Sequence, residues 1–206
     1  GFFVFRQDEE GKEDKRTREE AVEKVVLQIP HARNDQGTGD IGIAWMTHFD
    51  FNAGAWNTLS RRDGKGEADL ARLDNSYFMA FTQALMDVNA EPVVLQIHGY
   101  VRDKRQSKAG EQSDMILSSG AEKAEPMLLQ RAGCLMSVVD RVKIYGLDID
   151  ELGGTVNPVG KLLRAAKNRG YVHIEIEKSI RDQLLNDRDG LLKDTGQCLL
   201  GSLSDS

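Results

Sequence analysis

A chain of 206 residues, 40% apolar and 29% charged, has the length and composition of one folded domain with a full core rather than of a disordered segment. Its formal charge of −6 argues against general nucleic-acid binding, which requires a net basic face, and no apolar run approaches the roughly 20 residues that cross a bilayer. The expected partner is therefore a small-molecule or peptide substrate, with no nucleic acid and no membrane; oligomeric state is not legible here. Gly1 to Phe5 has no cationic lead-in, so a cytoplasmic protein and an exported one whose leader has been removed both fit.

Phe2 to Phe5 is a short β-prone run and an expected edge strand. Asp8 to Lys24 mixes both charge signs, so residues 1–24 read as an edge strand and a charged surface segment of a single domain spanning 1–206. Val25 to Ile29 is apolar enough for a strand buried on both faces. Ile41, Ala44 and Trp45 fall at helical spacing, with Thr38 or Asp40 as N-cap. His48 on that helix reads as structural. Asn52 to Ala71 reads as a long loop. Tyr77, Phe78, Phe81, Ala84, Leu85 and Val88 give a core-facing helical stripe, capped from Asp74 to Ser76.

Val93 to Ile97 predicts a second buried strand, and Met115 to Gly120 a third that leads into a turn. Pro126 suits the first turn of a helix buried through Leu128, Ala132, Leu135, Met136 and Val139. Val142 to Tyr145 is a short strand. Asn157 and Pro158 start a helix running to about Asn168 and stopped by Gly170. Tyr171 to Glu177 alternates, placing Val172, Ile174 and Ile176 on one face and His173, Glu175 and Glu177 on the other. Two closing helices follow, within Ser179–Leu185 and Asp189–Leu200. Strands alternating with helices predict a three-layer α/β/α domain. There is no internal repeat. Cys134 and Cys198 lie in no Cys-x-x-Cys pair and read as buried thiols, with a disulfide as the alternative in an exported chain.

Ligands of open α/β sheets gather where strands end. His31, Asp35 and His98 stand at or just beyond predicted strand ends and offer two imidazoles and a carboxylate, a donor set that holds one zinc ion and leaves a position for water. Glu175, on a third strand, is the candidate general base. Arg61, Arg62, Arg72 and Arg181 are candidate cations for a substrate carboxylate or oxyanion, Asn57 and Asn157 candidate substrate contacts, and His173 a group that orients a ligand or touches substrate. Each residue also has a plainer reading: His31 and Asp35 as helix caps, His98 bonded to a carbonyl, Glu175 on a solvated edge, Asn157 as a cap. No Gly-x-Ser-x-Gly elbow points to a serine nucleophile.

Pro30-His31 followed by Asp35-Gln36-Gly37-Thr38, the Val-Leu-Gln-Ile-His98-Gly99 strand, and Gly170-Tyr171-Val172-His173-Ile174-Glu175 with Arg181 beyond it together resemble the phage-type poly-γ-glutamate hydrolases. These are zinc peptidases related to the carboxypeptidase A fold, whose general layout N-formylglutamate amidohydrolases share. The resemblance runs in patches from about residue 25 to 185. It implies a mixed sheet in a phosphorylase/hydrolase-like, zinc carboxypeptidase-like fold. It also implies one Zn2+ on His31, Asp35 and His98, Glu175 as base with His173 beside it, and amide hydrolysis of a γ-glutamyl or other anionic substrate. The chain departs from the family pattern in a His-to-acid spacing shorter by one, in Arg33 and Asn34 where glycines stand, and in Asp for Glu. An esterase or deacylase of the same fold, and a metal-free binding domain, are the alternatives.

Overall fold

The computed structural model describes residues 2–5, 24–88 and 91–201. The charged stretch expected over 8–24 lies almost wholly outside the described residues. In chain order the elements are β1 (Phe2–Phe5), β2 (Val25–Ile29), α1 (Thr38–His48), β3 (Ala53–Trp56), α2 (Tyr77–Val88), β4 (Val93–Tyr100), α3 (Lys108–Glu111), β5 (Met115–Ser118), α4 (Pro126–Leu135), β6 (Val142–Ile144), α5 (Pro158–Ala165), β7 (Tyr171–Glu177), α6 (Lys178–Asn186) and α7 (Leu191–Leu200). The strands form one mixed seven-stranded sheet in the order β1-β3-β2-β4-β7-β5-β6. The protein is thus α/β. Strands β3, β2, β4 and β7 run parallel, β1 pairs antiparallel to β3, and β5 with β6 runs antiparallel to β7.

Alternation along the strands divides the core between the two faces of the sheet. Val25, Leu27 and Ile29 join Ile41 and Trp45 of α1, Leu128 and Leu135 of α4, Ile180 and Leu184 of α6, and Leu192 and Leu199 of α7 in one buried cluster. Val26 and Val94 join Phe78 and Phe81 of α2 and Val159 and Leu163 of α5 in another. Helix α1 approaches β2 so closely that a Cβ on Gly42 would overlap the Ile29 side chain, a contact only glycine permits. No helix among the described residues is long and apolar enough to cross a membrane.

Several expectations need correction. The presumed loop after Asn52 contains β3. Its Ala-Gly-Ala-Trp sequence carries little strand propensity, and pairing to β1 on one side and β2 on the other holds it in the sheet. The N-cap position of α1 is Gly37, at φ 88° and with no side-chain cap; Thr38 is instead the first helical residue, and its hydroxyl donates to Asp35 O at 2.7 Å. Tyr77 and Val88 are 78% and 80% exposed, because only the Phe78–Phe81 side of α2 reaches the sheet. Strand β4 continues through His98 to Tyr100, its length set by pairing with all seven residues of β7. Helix α5 stops at Ala165 because Lys167 takes a left-handed φ of 61°. Cys134 and Cys198 are joined in a disulfide between α4 and α7, with Cα atoms 5.4 Å apart. The sequence also does contain a short repeat: Val-Val-Leu-Gln-Ile forms β2 and again the first five residues of β4, and the two copies lie side by side in register.

Candidate metal centre

The segment after β2 folds into one turn. Backbone N–H groups of Asn34 and Asp35 both donate to His31 O, at 2.9 and 2.8 Å, so His31 and Asp35 project to the same side. His98 arrives from the adjacent β4, and Asp35 Oδ2 lies 3.5 Å from His31 Nδ1 and 4.0 Å from His98 Nδ1. One donor atom from each of the three residues lies within 4.8 Å of the others. The three side chains are buried, and Asp35 Oδ2 also accepts the Gly99 N–H at 3.0 Å.

Each imidazole is held from behind. His31 Nε2 lies 2.9 Å from Asp69 Oδ1, and His98 Nε2 lies 2.9 Å from Gln96 Oε1. Such outer contacts fix ring orientation and leave the opposite nitrogen for a cation. Their electrostatics differ. Burial works to lower the His31 pKa, but the bonds and charges of Asp35 and Asp69 outweigh it and the net shift is upward. Burial holds His98 well below the usual histidine range, reinforced by His173, His31 and Arg61, so it is an uncharged ring at neutral pH.

β7 brings the base candidate alongside. Glu175 is the register partner of His98, and His173 that of Gln96, so all four side chains share one face. His173 Nε2 lies 3.3 Å from Glu175 Oε1, and the His98 and His173 rings are 4.4 Å apart. These residues open into a cleft of about 570 Å3. Its walls include Asp69, Arg61, Arg72, Lys104, Arg105, Asn157 and Arg181.

The remaining candidates fall as follows. Arg61 is exposed at the cleft wall, where its backbone N–H donates to Asn34 Oδ1 at 2.7 Å; Arg72 lies 3.8 Å from Asp69. Arg62 is exposed and outside the cleft lining. Asn57 is also outside it: its amide donates to Ala68 O and accepts from Leu59 N, which ties the loop together. Arg181 reaches the cleft, but its Nε donates to Gln36 O and its Nη1 to Tyr100 O and Ile176 O, so it also clamps three backbone segments. Glu177 caps α6 through Ser179 N. Asn157 caps α5 and also donates to Gln96. His48 is exposed, 2.8 Å from Ala44 O.

Asp69, Gln96 and Tyr171 were not anticipated. Asp69 sits in a charged stretch with nothing to single it out. Gln96 had a signal, a glutamine at one position of two identical buried strands. His31, Asp35 and His98 form a buried group whose donor atoms are close enough together that they could hold a metal ion. No family model matches this chain and no curated protein matches it.

Proposed function

We propose that the protein is a zinc-dependent hydrolase of amide bonds, built as a three-layer α/β/α domain akin to the zinc carboxypeptidases. The observation that carries this reading is the convergence of His31, Asp35 and His98 at the floor of a cleft, with Glu175 beside His98. Two imidazoles and one carboxylate suit zinc in preference to calcium or magnesium, which favour all-oxygen sets. Asp69 and Gln96 supply the outer contacts such ligands need.

A zinc ion bound there contributes Lewis acidity and a water of lowered pKa. Glu175, the register partner of His98, would serve as the base that accepts a proton from water and passes it to the leaving amine. Arg61, Arg72, Lys104 and Arg105 along the cleft favour a substrate that carries a carboxylate. His173 holds the Glu175 carboxyl in position.

Elemental analysis of wild type and His98→Ala tests the reading. The expected result is about one zinc per wild-type chain and little in the variant, followed by hydrolysis of carboxylate-bearing amides by the zinc form. A folded wild type that neither carries zinc nor takes it up overturns it and leaves a binding domain. Zinc uptake with cleavage of esters alone would reassign it as an esterase.

A further inference from the structure

We propose that Asn157 sets the tautomer of His98, acting through Gln96, and so decides which imidazole nitrogen faces Asp35. Its consequence for zinc rests on the site proposed above; the tautomer itself belongs to the metal-free chain.

The direction of every bond follows from one group that can only donate. The backbone N–H of Val159, in the first turn of α5, meets Asn157 Oδ1 at 3.0 Å. The other end of that amide, Nδ2, is then a donor, and it lies 2.5 Å from Gln96 Oε1. Gln96 therefore turns its oxygen toward α5 and its NH2 toward β2, where Nε2 lies 3.0 Å from Gln28 Oε1. Gln28 Nε2 donates to Thr82 Oγ1 at 2.9 Å, and the Thr82 hydroxyl donates to Phe78 O at 2.7 Å. Tyr171 also donates to Gln96 Oε1, at 3.0 Å. No link conflicts with its neighbours. His98 Nε2 meets the same Gln96 oxygen at 2.9 Å, so in the uncharged ring the hydrogen resides on Nε2. Nδ1 keeps its lone pair, and Nδ1 is the nitrogen 4.0 Å from Asp35 Oδ2.

Burial makes this direction consequential. Gln28, Thr82 and Gln96 are 0% exposed and Asn157 is 3% exposed, so water has little access to supply a missing partner. The chain of amides can nevertheless run the other way. Both glutamine amides would turn over, Thr82 would donate to Gln28 instead of Phe78, and Tyr171 would turn its hydrogen toward His173 Nδ1, 3.5 Å away. Asn157 chooses between the two directions. It is a positioning residue, acting on His98 only through Gln96.

Asn157→Asp tests this. An ionised carboxylate keeps the cap on α5 but has no hydrogen for Gln96. Gln96 then presents its NH2 to the cap and to His98 Nε2, which becomes the acceptor, and the ring hydrogen moves to Nδ1. Two-bond nitrogen–proton NMR spectra of the metal-free protein at neutral pH are expected to show Nε2–H for His98 in wild type and Nδ1–H in Asn157→Asp. Zinc affinity is expected to fall about tenfold to a hundredfold in the variant. Gln28→Glu puts a carboxylate in the same chain but still accepts from Gln96, so His98 keeps Nε2–H. That contrast separates bond direction from buried charge.

An Nδ1–H tautomer in wild type, or an unchanged tautomer in folded Asn157→Asp, overturns the inference. If Asn157→Asp does not fold, the wild-type spectrum together with Gln28→Glu decides. A tautomer that switches as stated in a chain that binds no zinc supports this inference and overturns the metal reading alone.

Discussion

His31 Nε2 and Asp69 Oδ1 lie 2.9 Å apart although 38 positions separate the two residues. Asp69 therefore holds the His31 ring from the side opposite Asp35. Asp69→Ala is expected to weaken zinc binding about tenfold to a hundredfold, and Asp69→Asn by less, because its amide oxygen still accepts. Competition with a chromogenic chelator reads both. Equal affinities in all three proteins would remove Asp69 from the site.

Glu175 shares a register position with His98 but lies outside the converging set of donors. Glu175→Gln is expected to retain zinc at wild-type stoichiometry while turnover of a carboxylate-bearing amide falls about 10²- to 10⁴-fold. The loss should appear in kcat with KM little changed. A variant that loses zinc as well would make Glu175 a ligand and not a base.

Glu151 ties the Arg105–Ser107 segment to the chain that leads into the Leu152–Asn157 lining of the cleft. Its carboxylate accepts from the backbone N–H groups of Gln106 and Ser107 and from the Ser107 hydroxyl, and faces Arg105. Burial pushes its pKa up, yet the Ser107 and Gln106 bonds and the Arg105 charge prevail and bring it below the ordinary 4.5. Unfolded Glu151 thus binds a proton more readily than folded Glu151, so its contribution is full above pH 4.5 and is lost as pH falls through the folded value. Glu151→Gln is expected to cost about 1 to 2 kcal/mol at neutral pH, with the gap to wild type closing in acid. Urea unfolding at pH 7 and at pH 3 measures it; a gap that widens in acid would contradict the assignment.

The cysteines close a loop with a sequence separation of 64. Chain-entropy arguments put the stabilisation from a loop of that length at about 4 kcal/mol. A Cys134→Ser, Cys198→Ser double variant is expected to lose stability of that order by denaturant titration, and added reductant should destabilise wild type but not the variant. Identical curves for wild type with and without reductant would mean that the thiols are not joined in solution.

The sheet and the converging triad were legible because strong local signals carry them. Val-Val-Leu-Gln-Ile can hardly be anything but a buried strand, and a His and an Asp four apart share a side once the chain turns helically between them. β3 was illegible because alanine and glycine state no preference, and its neighbours in space decide for it. Tyr77 lay on the right helical stripe but beyond the reach of the sheet, a matter of docking rather than periodicity. Asp69 and the Cys134–Cys198 bond depend on contacts between distant segments, which spacing along a chain does not encode. The two identical pentapeptides were the one long-range clue on the page, since identical strands stacked in register bring Gln28 and Gln96 together.

The Cys134–Cys198 bond also partitions the molecule. Inside the loop it closes lie β6, the wall of the cleft from Leu152 to Asn157, and β7 with His173 and Glu175; His31, Asp35 and His98 lie outside it. A backbone cut in the stretch between β6 and α5 would therefore yield two polypeptides that travel as one species on a non-reducing gel and separate only after reduction. With β7 still paired to β4 along its full length, the nicked molecule would keep its base candidate beside the histidine it accompanies.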